Sequence, residues 1–183
     1  MDWSITYILS QVFTITMYIL LATTYYLKDR KKILVLNFLG LVANMVVYIL
    51  LNAWTGLAMT VVALIRNIIF IIDENKNGKR QNITRADIII LVILYMISVV
   101  SAVFTYDGFF SLLSVFATML YTYSVWQKKT KTYKLLGIPT GILWIAYNVY
   151  IMSIFGIILE SVLLICSVIG YILEIKRTNK KWC

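Results

Sequence analysis

The sequence has no histidine, one proline and two cysteines among its 183 residues. Without histidine there is no serine–histidine or cysteine–histidine pair for nucleophilic catalysis, and the imidazole ligands common at metal sites are missing. The cysteines, Cys166 and Cys183, have no zinc or redox spacing. Carboxylates are not clustered, and no phosphate-binding loop is present. These absences predict a protein that is not an enzyme and that uses no metal or organic cofactor.

Hydrophobic residues, by contrast, make up 61% of the chain, and the mean hydropathy is +0.86. Values this high exclude an ordinary soluble domain. A helix needs ~20 apolar residues to cross ~30 Å of hydrocarbon. Seven runs come close to this length, at residues 5–27, 33–51, 56–72, 88–105, 109–126, 135–152 and 154–175. The sequence therefore predicts an all-α, polytopic membrane protein with seven transmembrane helices.

Basic residues fall in alternate gaps between these runs. All but one of the 17 Lys and Arg residues lie in the first, third and fifth gaps or in the tail after the last run. Because cytoplasmic loops carry the excess of Lys and Arg, the N-terminus is predicted outside and the C-terminus in the cytoplasm. The net charge of +9 then follows from topology. We expect a lipid bilayer, including its anionic head groups, and not nucleic acid, as the partner.

The chain also contains an internal repeat with an offset of 100 residues. Sliding it by that amount places the first three runs on the last three without a gap. Matched charges are the most informative, and they are Lys28 with Lys128, Lys31 with Lys131, Glu74 with Glu174, and Lys76 with Lys176. Both triplets begin on the same side of the membrane. This predicts two parallel repeats related by an axis along the membrane normal.

The repeat divides the chain into three predicted parts. Residues 1–75 form the first three-helix repeat, residues 76–106 form a cytoplasmic loop and a linker helix, and residues 107–183 form the second three-helix repeat with a basic cytoplasmic tail. The linker helix restores the orientation of the second repeat. The expected order is thus three helices, one helix and three helices.

Four stretches, at residues 48–52, 63–67, 144–148 and 156–161, resemble the bacterial inner-membrane YgjV family. The order of three, one and three helices with an outer N-terminus is similar to that of the SWEET sugar transporters and the PnuC vitamin transporters. The Pro-Gln dipeptide of PQ-loop proteins is absent, and Pro139 is the only proline. The resemblance implies a multi-pass protein of the bacterial inner membrane and, through the SWEET-like architecture, a transporter. It implies no particular substrate.

Two ionisable residues, Arg66 and Glu160, lie well inside predicted spans. A charge near the bilayer centre costs roughly 2.5–3.5 kcal/mol or more, so such residues normally face a cavity or a partner. Arg66 is predicted to bind an anionic group of a substrate, and Glu160 to bind a cation or relay a proton. The alternative for either residue is a structural polar contact between helices.

Asn67, Asn148 and Trp144 complete the predicted substrate-binding site. Asparagine both donates and accepts hydrogen bonds, which suits solutes with hydroxyl or amide groups, and an indole stacks on a ring. For these residues the alternatives are interhelical hydrogen bonding and core packing. Because Arg66 and Glu160 each occur in one repeat only, the site is expected to be asymmetric and to suit a polar solute with distinct ends.

Three further residues have structural interpretations. Gly141 follows Gly137 by four positions, and this G-x-x-x-G pattern permits a close helix contact. Trp126, near the end of the fifth run, is interpreted as an anchor at the membrane interface.

The leading functional hypothesis is a small-molecule transporter or facilitator. In it, two three-helix bundles enclose a central polar site that opens to either side of the membrane in turn. The alternatives are an accessory or sensory membrane protein whose bundle is a scaffold, and a lipid-handling protein. A transporter requires the polar residues to converge on one water-accessible space, whereas a scaffold would scatter them. Transporters of this build often form homo-oligomers, but the sequence does not fix the number of copies.

Overall fold

A computed structural model describes residues 5–52, 54–77, 84–104, 111–150, 152 and 154–179. These segments form seven α-helices and no β-strand. The helices are α1 (Ile5–Thr24), α2 (Arg30–Leu50), α3 (Trp54–Asn77), α4 (Arg85–Phe104), α5 (Ser111–Trp126), α6 (Thr130–Tyr150) and α7 (Ile154–Asn179). The predicted all-α fold with seven helices is confirmed.

Several of these helices have the length and composition of membrane spans. In the described segments α1, α2 and residues Ile154–Thr178 of α7 are each long and apolar enough to cross a bilayer. Shorter apolar stretches, Asp87–Val100 and Leu112–Trp126, occur in α4 and α5. Large hydrophobic side chains are exposed along the helices, Ile93 and Ile165 among them. Extended apolar surfaces of this kind mark contact with a membrane or a partner, as expected of a polytopic membrane protein.

The chain divides by its contacts into two compact units, Met1–Gly78 and Lys79–Cys183. In the first unit α2 packs against both α1 and α3. In the second unit α6 packs against both α5 and α7, and α5 also packs against α4. The predicted linker helix, α4, therefore packs within the second unit. The three-part division of the chain and the parallel relation of the two repeats stay predictions.

The offset of 100 residues recurs in the backbone. Helices α2 and α6 begin at residues 30 and 130 and end at residues 50 and 150, and α3 and α7 begin at residues 54 and 154. Asn52 and Met152, in the turns before α3 and α7, both have a left-handed φ of 53°. Thr24 and Ser124 are both buried, and the hydroxyl of each donates to the carbonyl three residues earlier. Each unit therefore repeats details of the other that hydropathy alone does not specify.

Helix α4 begins with a capping box. The carboxylate of Asp87 accepts hydrogen bonds from the backbone N–H and from the hydroxyl of Thr84, both at 2.8 Å. The indole of Trp126, at the end of α5, donates to the backbone carbonyl of Asp87 at 3.2 Å and is buried. Trp126 thus packs α5 on α4, and its interpretation as an interfacial anchor is replaced by this buried role.

Helices α6 and α7 approach closely at Gly141. A Cβ atom at this position would lie 3.3 Å from the Cβ of Leu164, which is tighter than ordinary contacts. The predicted close contact is therefore confirmed at Gly141, and Gly137 is buried as well. The contact also fixes the register of this antiparallel pair. A residue that follows Gly141 by a given number of positions on α6 lies level with the residue that precedes Leu164 by the same number of positions on α7.

Candidate functional site

Each unit has a buried ion pair at the end that carries the basic loops, which we call the basic end. In the first unit, Arg30 at the start of α2 pairs with Glu74 near the end of α3. The side chains are only 9% and 13% exposed. At this depth water screens the attraction less than at an exposed surface pair, so loss of either partner matters more.

The second unit has an equivalent ion pair, but its cation, Lys134, lies one turn further into its helix than Arg30 does. The Nζ atom of Lys134 lies 2.7 Å from Oε2 of Glu174 and is 0% exposed. The hydroxyl of Thr130 also donates to Glu174, at 3.4 Å, and Arg177 lies 3.9 Å from the same carboxylate. The hydropathy pattern predicts Lys134 in a loop, but α6 begins at Thr130, so Lys134 lies inside the helix. The match of Glu74 with Glu174 in the repeat was the signal for these pairs.

Asn67, a predicted substrate residue, lies on α3 against α2 and is 2% exposed. When the side-chain amide is oriented so that both its nitrogen and its oxygen make hydrogen bonds, Asn67 donates to the carbonyl of Leu34 at 3.2 Å and accepts from the N–H of Phe38 at 3.3 Å. In the second unit, Ser167 donates to the carbonyl of Lys134 at 2.7 Å. Both side chains therefore hold the third helix of a repeat on its second helix.

Arg66 precedes Asn67 in the middle of α3. It lies ~17 Å along the helix from either end, at a rise of ~1.5 Å per residue. Its side chain is buried, with 7% of it exposed. A guanidinium offers five donors in a planar fork, which matches a carboxylate or a phosphate. This buried cation lies within the first unit, half-way along α3.

Three predicted site residues, Trp144, Asn148 and Glu160, belong to the second unit. The side chain of Asn148 donates to the carbonyl of Trp144 at 2.9 Å, and the Trp144 ring meets Tyr147 edge-on at 5.9 Å between centroids. Each of the three is half-buried.

The register of α6 and α7 places these three residues within about one helical turn of the same level. Trp144 lies three residues beyond Gly141, so Glu160, four residues before Leu164, lies at nearly the same level. Spacings of three, four and seven residues keep Trp144, Asn148 and Glu160 on the helix faces that meet at this contact. The second unit therefore gathers an indole, an amide and a carboxylate along the α6–α7 contact.

The first unit has a different contact at the equivalent level. The repeat partners of Trp144 and Glu160 are Asn44 and Thr60. The amide of Asn44 donates to the hydroxyl of Thr60 at 3.4 Å. A neutral polar pair in one unit thus corresponds to an aromatic ring and a carboxylate in the other. The asymmetry of the solute site itself stays a prediction.

The predicted site residues are divided between the units. Arg66 and Asn67 lie on α3 of the first unit, whereas Trp144, Asn148 and Glu160 lie on α6 and α7 of the second. Their convergence on one central space stays a prediction.

An open, apolar groove on the second unit was not predicted. Its volume is about 510 Å³, and it is lined by Tyr95 of α4, by Phe116, Met119, Leu120 and Tyr123 of α5, and by Leu143 of α6. The only signal in the sequence is the spacing of Phe116, Leu120 and Tyr123, which puts them on one face of α5.

A family model described as a bacterial inner membrane protein, Imp-YgjV, matches residues 8–178. The matched region reaches from α1 into the last turns of α7. No curated protein and no solved structure matches the chain.

Proposed function

Since the chain belongs to the Imp-YgjV family of bacterial inner membrane proteins, we propose that it is a small-molecule transporter or facilitator. In this proposal the two three-helix bundles enclose a central polar site that opens to either side of the membrane in turn. The N-terminus faces outside, and the basic ends of both units face the cytoplasm.

The observation that carries the proposal is the burial of Arg66 half-way along α3. A cation at this depth is expensive in a bilayer and typically belongs to a solute pathway or a binding site. Arg66 would bind the anionic group of a solute through its planar fork of donors. Asn67, which binds the backbone of α2, would hold α3 so that Arg66 keeps its position.

The second unit would recognise the other end of the solute. Glu160 supplies a carboxylate for a cationic or hydrogen-bond-donating group, and Asn148 supplies an amide. Trp144 supplies a flat surface for a ring. Because the equivalent level of the first unit has the neutral Asn44–Thr60 contact in place of the ring and the carboxylate, the site distinguishes the two ends of a polar solute.

Other features of the chain support transport over catalysis. The sequence lacks histidine and clustered carboxylates, so we propose that the protein has no enzymatic activity and needs no cofactor. The order of three, one and three helices resembles that of the SWEET and PnuC transporters. Assembly into a homo-oligomer is part of the proposal, as in many transporters of this build.

The first test is a thermal-shift screen of the purified protein with sugars, nucleosides, vitamins and amino acids. A solute that binds only the folded protein raises Tm by mass action. Arg66→Ala and Glu160→Gln should abolish this shift and should abolish uptake into proteoliposomes. Lys31→Ala, which removes an exposed cation from α2, is the matched control and should change neither. Normal uptake in both site variants would overturn the central-site proposal.

The second candidate function is that of an accessory or sensory protein whose bundle is a scaffold. The hydrogen bonds of Asn67 to Leu34 and of Asn44 to Thr60 favour it, because they are made to the neighbouring helix of the same unit. In that case Arg66→Ala and Glu160→Gln would lower Tm, and no solute would raise it in any variant.

A further inference from the structure

The apolar groove of the second unit lies along the half of α5 that ends at Trp126. Its lining runs along α5 from Phe116 to Tyr123, and the Tyr123 ring stacks on Trp126 at 5.6 Å between centroids. From Phe116 to Trp126, where α5 ends, the helix rises ~15 Å at ~1.5 Å per residue. This is half of the ~30 Å hydrocarbon thickness of a bilayer. The groove lining from Phe116 to Tyr123 covers ~10 Å of this length, so the groove can take part of the acyl chain of a lipid in one leaflet.

Exposed cations lie where the groove reaches the end of α5. The hydrogen bond from Trp126 to the carbonyl of Asp87 brings the start of α4 and the end of α5 together. Arg85 lies two residues before Asp87, and Lys129 lies three residues after Trp126. At up to ~3.6 Å per residue, both lie within about 11 Å of this contact along the backbone. Both side chains are exposed.

The carboxylates of this end are already engaged. Asp87 caps α4 through the two hydrogen bonds from Thr84, and Glu174 pairs with Lys134. The exposed charge around the end of the groove is therefore positive. Basic residues next to a membrane surface attract anionic lipids, and the attraction falls off within about a Debye length.

We propose that the groove and the cations at its end bind one phospholipid with an anionic head group. The acyl chain lies against Phe116, Leu120 and Tyr123, and the head group lies between Arg85 and Lys129. A free anion would leave the apolar groove uncovered, and an uncharged lipid would leave the two cations unmatched. The combination of an apolar groove within one leaflet with positive charge beyond its end selects this class of ligand. The residues of this site differ from those of the proposed solute site.

The test measures lipid binding to the purified, full-length protein by native mass spectrometry and by the shift in Tm. Phosphatidylglycerol and phosphatidylcholine with identical acyl chains are the two probes. We expect phosphatidylglycerol to bind about 25-fold more tightly, because each of the two basic residues near an anionic head group contributes roughly fivefold. The double variant Arg85→Gln/Lys129→Gln should weaken phosphatidylglycerol binding by about 25-fold and leave phosphatidylcholine binding unchanged.

The groove is tested separately from the charges. Leu120→Trp fills it and should weaken binding of both lipids, whereas Ile165→Trp, at an exposed apolar position of α7, should weaken neither. If Leu120→Trp does not fold, Phe116→Ala removes an exposed wall of the groove and should weaken both lipids in the same way.

The matched control for the charges is Lys31→Gln/Lys32→Gln, which removes two exposed cations from the start of α2. An equal loss of phosphatidylglycerol binding in this control would overturn the proposal, because the attraction would then be unspecific. A Tm shift with inorganic phosphate as large as with phosphatidylglycerol would overturn the role of the groove. If Leu120→Trp converts a dimer to a monomer, the role of the groove in lipid binding is also overturned, because a second copy of the chain occupies the groove in the unsubstituted protein.

Discussion

Asn67 and Ser167, which are 100 residues apart, each donate a hydrogen bond to a backbone carbonyl, and these two carbonyls are also 100 residues apart. The acceptors are Leu34 at 3.2 Å and Lys134 at 2.7 Å. In each unit the bond holds the third helix of the repeat on the second helix, close to the basic end. The donors differ in chemistry but agree in position, so the repeat preserves a contact and not a residue.

Loss of this contact should destabilise both units. Interhelical hydrogen bonds in membrane proteins contribute ~0.6 kcal/mol on average and at most ~1.7 kcal/mol. We expect Asn67→Ala to lower the free energy of unfolding more than Ser167→Ala, because Asn67 also accepts from the N–H of Phe38. Asn67→Ser should recover part of the loss. Unfolding in SDS measures each value, with Ser98→Ala as the control because that hydroxyl binds the carbonyl of Leu94 in its own helix.

Removal of Glu174 should be more damaging than removal of its cation. Glu174→Gln leaves the fully buried Lys134 without its carboxylate, and an uncompensated buried charge costs ~3–5 kcal/mol. Lys134→Met should be much milder, because Glu174 is 16% exposed and retains Thr130 and Arg177. Thermal unfolding of the two variants measures the difference. If the two variants are equally destabilised, groups other than Glu174 must also stabilise the ammonium of Lys134.

The ion pair of the second unit should be transferable to the first. Arg30→Thr alone removes the cation that Glu74 binds and should lower Tm. Adding Leu34→Lys reproduces the arrangement of Thr130 and Lys134, and we expect the double variant to recover at least half of the loss. A double-mutant cycle isolates the coupling of the two positions. Additive effects of Arg30→Thr and Leu34→Lys would show that the units do not share this geometry.

The turn before α7 contains a backbone conformation that methionine tolerates poorly. Met152 and Asn52 both have φ of 53°, and a left-handed residue costs ~1–2 kcal/mol unless it is glycine or, often, asparagine. Met152→Gly is therefore expected to raise the stability by about 1 kcal/mol. Asn52→Ala, the control at the matching position, should lower it. A lower Tm for Met152→Gly would indicate that the methionine side chain makes contacts worth more than the strain.

Hydropathy and the repeat predicted much of this fold, because the number of helices follows from apolar length and the offset follows from charged positions. The start of α6 was missed. The apolar run begins after Lys134, but the helix continues back to Thr130, and Lys134 is paired with Glu174, 40 residues away. Window-based hydropathy cannot include such a partner. The burial of Trp126 was missed for the same reason, since its acceptor is the carbonyl of Asp87, 39 residues earlier.

The candidate site, too, could be predicted from the sequence only in part. Arg66 and Glu160 stood out in the sequence because a charge in a span is costly, and Arg66 is indeed buried in the middle of its helix. The hydrogen bonds of Asn67 depend on how α3 packs on α2, which its own neighbours do not specify. The lipid groove depends on side chains from three helices, and these are distant in sequence. Residue type therefore identified the positions where a charge is costly in a membrane span. The packing of the helices decides which groups the side chains at these positions contact.

The distance in sequence between Lys134 and Glu174 also affects how the protein is made. The ribosome adds ~5–20 residues per second, so Glu174 follows Lys134 by about 2–8 s. In that interval the ammonium group has no carboxylate, and the long side chain can keep it at the water-exposed edge of the bilayer. We expect α6 to settle into the bundle only when α7 emerges, so that the two helices insert as a hairpin. We expect α2 and α3 of the first unit to insert as a hairpin for the same reason, because Glu74 is translated 44 residues after Arg30.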